Sequence, residues 1–256
     1  MLLAEWLRIR SRRDLWLGAV AAAILAGLTY LSNASNATGG ERFAFPESVV
    51  TLVRSTQLMI VAIAAYAAAA MVGAEFNYRT LRTSLLVNGD RVTFALIRIA
   101  AVAGYGAILV LLVTLVASAL PFVAMVPGAD QPANAAGGLG RGLAVTGSAL
   151  LFATFAALLA AAATLLVRNT AIALLLSATY GVGEGLVIGL IERATRGEIP
   201  PLHLLPVASL QLLSERAVGA PSTIPISTGT VLVGVLLWIA LMGVACTGIV
   251  RRMDVE

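Results

Sequence analysis

Few side chains in this sequence can do chemistry, so their positions matter. Glu184, in YGVGEGLVIGL, is the one acidic residue deep in an apolar run. Carboxylates inside a membrane are costly and often functional. The flanking Gly181, Gly183, Gly185 and Gly189 permit close helix approach or a local break. Three roles are open for Glu184: a residue near the outer end of a helix that breaks at the glycines and meets water or an arginine, a gating or substrate-related group, or a proton-coupling carboxyl. The second group is Glu75, Arg79 and Arg82. Spacings of i+4 and i+3 place them on one helical face. They read either as an ordinary solvated, positive loop or as a docking helix for a partner; spacing alone favours neither.

The remaining inventory excludes chemistry. His203 is the only histidine and Cys246 the only cysteine. That removes disulfides within the chain, cysteine metal clusters and paired-histidine zinc sites. His203 stands among prolines and reads as an interfacial residue; no nucleophile motif surrounds a serine, and no span contains the two aspartates that aspartyl intramembrane chemistry needs. All seventeen basic residues are arginine. A Walker A loop requires its lysine to reach the phosphates, so this chain cannot hold that site. The expectation is a chain that is no enzyme and carries no metal or cofactor of its own. The methionines and aromatics are scattered and read as packing.

These residues must be positioned by membrane-spanning helices. The chain has 256 residues, 59% hydrophobic and 12% charged, with a net charge of +4. Soluble domains run near 25% charged, and such a sequence lacks the polar surface a soluble fold needs. A spanning helix uses about 20 residues. The apolar runs predict spans at about 15–31, 52–74, 97–120, 143–167, 170–191 and 229–250, within a single transmembrane domain covering 1–256. Met1–Arg13 reads as a basic, Trp-containing amphipathic helix lying in the interface. A cleaved signal peptide is the competing reading, but the apolar run is too long for one. A polar loop is expected over Asn33–Ser48, with N-x-S/T sequons at Asn33 and Asn36, and another over Pro127–Gly142. In Gly73–Arg91, Asn88-Gly89 should end a helix and Asp90 can cap the next. Residues 192–228 form a proline-rich connection whose LHLLPVASLQLL stretch is too apolar for a solvated loop and too short to span, hence interfacial or re-entrant.

Arginine placement sets the orientation. With the N-terminus inside, Arg8, Arg10, Arg12, Arg13, Arg79, Arg82, Arg91, Arg98, Arg168, Arg251 and Arg252 lie inside. Arg42, Arg54, Arg141, Arg193, Arg196 and Arg216 lie outside. Both termini are therefore expected in the cytoplasm.

This layout resembles the ABC-2 type permeases, the six-span membrane subunits of bacterial ABC exporters. The similarity is carried by AEWLRIRSRRDLWLGAV at the start, GAEFNYRTLRTSLLVNGDR after the second span, IPPLHLLPVASLQLL before the last span, and the tail with Arg251, Arg252 and Asp254. The second stretch departs from the family pattern, with Arg79 where many members have glycine before the threonine, and Asn88-Gly89 where proline commonly precedes the basic turn.

The resemblance implies a bacterial cytoplasmic membrane protein that exports an amphipathic or hydrophobic substrate by alternating access. Met1–Arg13 would be an interfacial elbow. Residues 75–90 would be a cytoplasmic coupling helix, with Glu75, Tyr78, Arg79, Thr80 and Arg82 binding a partner. Residues 192–228 would be an external re-entrant segment. Glu184, Gly181 and Gly185 would belong to the gate or pathway. Partners would be two copies of an ATPase subunit holding ATP and Mg, a second permease copy or paralogue, and membrane lipids, with no nucleic acid. Two other classes remain: a non-transporting membrane scaffold or sensor subunit, and a proton-coupled secondary transporter using Glu184.

Overall fold

The computed structural model describes residues 12–36, 45–77, 91–123, 135–195, 199–220 and 224–252. The interfacial elbow expected over Met1–Arg13 lies almost wholly outside these residues. So do Tyr78, Arg79, Thr80 and Arg82 of the expected coupling helix, and the tail beyond Arg252. Among the described residues there is no strand. The helices are α1 (Arg13–Asn36), α2 (Glu47–Asn77), α3 (Arg91–Val123), α4 (Ala135–Val167), α5 (Thr170–Thr195), a 3-10 turn (Pro200–Leu204), α6 (Pro206–Ala217) and α7 (Thr228–Arg252). All but α6 and the 3-10 turn are long and apolar enough to cross a membrane, six in total. The chain is a multi-pass membrane protein.

The long helices are apolar all round, as spans must be, but the two kinds of face differ in residue size. On α1, Leu15, Ala19, Ala22, Ala26 and Tyr30 are buried, while Leu17, Val20, Ile24 and Leu28 are exposed. Lipid tails are as apolar as leucine, so helices associate in a membrane through close packing, which small residues permit. The centre follows this rule. Ala149, Ala153, Ala157 and Ala160 on α4 share the core with Ala64, Ala67 and Ala68 on α2. Helix α4 touches α2, α3, α5, α6 and α7, whereas α1 packs on α2 and α3. Intramembrane hydroxyls are absorbed locally: Thr56, Thr114, Ser118, Thr146, Thr164 and Ser177 each donate to the carbonyl one turn earlier.

Helix ends differ from the sequence expectation, always towards longer helices. Helix α1 continues to Asn36, so both sequon asparagines lie in helix. Helix α3 runs through Pro121 to Val123. Helix α4 begins at Ala135 rather than near Leu143. Its first turns pack on the start of α2: Gly138 lies against the Pro46 ring and Arg141 pairs with Glu47 at 3.0 Å. The α4–α5 turn is as short as expected. Arg168 takes a left-handed conformation with φ 57°, and Asn169 caps α5 by accepting the N–H groups of Ala171 and Ile172 at 3.0 and 3.2 Å.

With six consecutive spans, the start of α1 and the end of α7 lie at one end of the bundle, here the terminal end. At that end Arg12 donates to the Ala70 carbonyl at 3.0 Å, and Arg91 to the Arg251 carbonyl at 3.4 Å. The other end, the distal end, carries the 3-10 turn and α6.

Candidate functional site

Two charged constellations stand out, one at each end. At the terminal end Glu75 is part of α2 itself, two residues before its close at Asn77. Glu75 was expected on one helical face with Arg79 and Arg82, which lie outside the described residues. It is buried and forms an ion pair with Arg98 of α3. The physical reason is register. The end of α2 and the start of α3 lie side by side, so a carboxylate on one meets a guanidinium on the other. The Arg98 guanidinium also sits 5.4 Å above the Phe94 ring, where the ring face attracts it. Val72, Phe76, Val102, Leu165, Cys246 and Val250 from α2, α3, α4 and α7 complete the lining. The pair therefore staples the two helices from which segment 78–90 emerges.

Arg98 was missed as a functional residue at the sequence level, where it counted only as one more inside arginine. Its signal was present: it interrupts an apolar run between Ile97 and Ile99. Beside the same end, Gly73 on α2 leaves room for Thr170 at the start of α5; a Cβ there would overlap the threonine hydroxyl. Cys246 is buried, its Sγ 3.8 Å from the Leu158 carbonyl.

At the distal end Glu184 is buried in α5, and the helix does not break at its glycines. Nor do those glycines receive a neighbour: a Cβ at Gly181, Gly183, Gly185 or Gly189 would meet nothing within 4 Å. The structure instead gives Glu184 a partner that spacing could not reveal. Its Oε1 accepts the backbone N–H of Ala208 at 2.8 Å. Ala208 is the third residue of α6, whose N-cap is Leu205 and whose first residue is Pro206. Leucine has no side-chain acceptor and proline no N–H, so α6 cannot cap itself in the usual way. A carboxylate from α5 does so across the chain, and the positive helix N-terminus favours its charge. Glu184 Oε2 is buried and makes no hydrogen bond. Tyr180, one turn earlier, interacts with the same carboxylate.

Two turns further along α5, Glu192 Oε1 lies 2.7 Å from His203 Nε2 in the 3-10 turn. His203 is thus largely covered and paired. The 3-10 turn and α6 are held by two further bonds, Trp238 Nε1 to the Leu204 carbonyl at 2.9 Å and Ser214 Oγ to Gln57 Oε1 at 2.8 Å. Helix α6 itself is well buried, with Val207 and Leu210 beside Phe155 and Val235, and Leu212 beside Val231. It ends where Gly219 adopts φ 76°, the usual left-handed stop.

Among the described residues no group of three or more His, Cys, Asp or Glu could hold a metal. Compared with family models and with curated proteins, the chain matches none.

Proposed function

We propose that the chain is the membrane subunit of an ATP-driven exporter of the ABC-2 permease type, working with ATP and Mg bound on a separate ATPase subunit. The observation that carries this reading is the Glu75–Arg98 pair. It fixes the base from which the arginine-bearing segment 78–90 departs, at the same end as the start of α1 and the end of α7. A segment on a rigid base can transmit a push from a cytoplasmic partner into the spans; one on a loose base would absorb it. In this reading Tyr78, Arg79, Thr80 and Arg82 meet the ATPase, and Glu75 acts from inside the bundle as the anchor. Arg79 and Arg82 suit acidic or polar groups on the partner.

The rest of the layout fits. Met1–Arg13 would lie as an elbow in the cytoplasmic leaflet of a bacterial membrane. The 3-10 turn and α6 would be the external re-entrant segment, their apolar residues covered by α4 and α7. Helix α5 is the least enclosed span together with α7, and its open face bearing Gly181 and Gly185 suits a second copy or paralogue at a pathway. Glu184 would belong to the outer gate. ATPase closure would then shift the dimer between inward- and outward-open states through differential affinity for the two conformers. The apolar lining suits an amphipathic or hydrophobic substrate.

The test is co-purification with an ATPase encoded beside this chain, followed by substrate-stimulated ATP hydrolysis. Arg82→Ala should weaken partner retention or uncouple hydrolysis. Assembly and coupling equal to wild type would sink the docking claim.

A further inference from the structure

Helix α5 is tied to the bundle unevenly. At its start, Asn169 caps it, the tight Arg168–Asn169 turn joins it to α4, and Thr170 packs over Gly73. Beyond that, its only buried residues are Ala173, Glu184 and Ile188. Leu175, Val182, Leu186 and Leu190 are exposed. In a membrane an exposed leucine gains almost nothing by packing on another helix, because lipid solvates it equally well. The distal half of α5 therefore leans on its polar contacts, two of which reach the 3-10 turn and α6. Glu184 caps α6 through Ala208, and Glu192 pairs with His203.

Both contacts end on the same receiving unit, the 3-10 turn plus α6. That unit is anchored elsewhere: its apolar side packs on α4 and α7, and Gln57 and Trp238 hold it through neutral bonds. Carboxylate acceptors form stronger hydrogen bonds than neutral ones, so each of these two outweighs the Gln57 or the Trp238 bond. Glu184 makes no second bond to α6, since Oε2 is buried and unbonded. Losing the Ala208 contact frees that part of α5 in one step.

We propose that Glu184 and Glu192 are the two latches of a hinged helix: α5 pivots at its Thr170 end, and its distal half swings away from the 3-10 turn and α6 when the latches open. The moving part is α5, and the unit packed on α4 and α7 stays. Among the described residues Tyr180, on α5 itself, interacts with the Glu184 carboxylate. On the elements packed against them, Arg141 sits at the start of α4 paired with Glu47, Glu215 and Arg216 lie at the far end of α6, and Arg251 and Arg252 close α7 at the opposite end. The device holds whether or not an ATPase drives the chain.

Pulsed electron–electron spin resonance on the full chain in lipid nanodiscs tests it. One label pair joins exposed Val187 on α5 to exposed Leu232 on α7; a control pair joins Ile172 near the pivot to exposed Val244. Wild type should give one narrow distance for each pair. Glu184→Ala with Glu192→Ala should raise the population of longer 187–232 distances about tenfold or more, leaving the control unchanged. Glu184→Gln, which keeps an oxygen for Ala208 but loses the carboxylate, should fall between wild type and Glu184→Ala. His203→Ala, which leaves α5 untouched, should give part of the effect. A distal distance unchanged in the double variant overturns the proposal, as does equal broadening of the control pair.

Discussion

Arg98 of α3 closes an ion pair with Glu75 of α2 inside an apolar cleft, across the mouth of the hairpin that the two helices form. Each single substitution removes one charge of this buried pair. Glu75→Leu and Arg98→Met as single substitutions should each cost about 3–5 kcal/mol, read as a fall in the thermal unfolding midpoint in detergent. The double variant should recover most of that loss. A double variant no better than the sum of the singles would show that the pair does not act as one unit.

The cap of α5 predicts a smaller effect. Asn169→Ala removes the acceptor for two N–H groups and should destabilise by about 1 kcal/mol. Asn169→Asp keeps an acceptor and should remain within a few tenths of wild type. Chemical unfolding of the purified protein measures both.

Close approach at Gly73 predicts a compensating pair. Gly73→Ala brings a methyl into the Thr170 hydroxyl and should cost about 1–3 kcal/mol, as overpacking does. Adding Thr170→Ala removes the obstructing atoms and should restore the midpoint. Failure of that rescue would place the strain elsewhere on α2.

At the distal end, Trp238→Phe keeps the ring and deletes the N–H that reaches the Leu204 carbonyl. The expected loss is about 1 kcal/mol, with faster amide exchange confined to residues 200–217. Equal acceleration in α1 and α3 would contradict the local role.

What was legible in the sequence depended on how far apart the interacting residues lie. The six spans were readable because each apolar run falls within the length range that crosses a bilayer, about 17–25 residues. Their ends were not. Residues 135–142 look like a glycine-rich loop, yet they are helical, packed on Pro46 and paired through Arg141 with Glu47, almost a hundred positions earlier in the chain. Glu75 was singled out for its spacing to Arg79, but its partner is Arg98, and only the lateral register of α2 and α3 decides that. The importance of Glu184 was readable from its isolation. Its partner was not, because a backbone N–H leaves no mark in a sequence. The one local hint is negative: Leu205-Pro206 opens α6 with no side chain able to cap it.

Cys246 has a practical consequence. It is the only thiol in the chain, and it is enclosed where α7 meets α4. A water-soluble maleimide should leave the folded protein unmodified and react only once α7 separates from α4. The unaltered protein thus carries its own unfolding counter, and any cysteine introduced at an exposed position will be the sole site that the reagent finds.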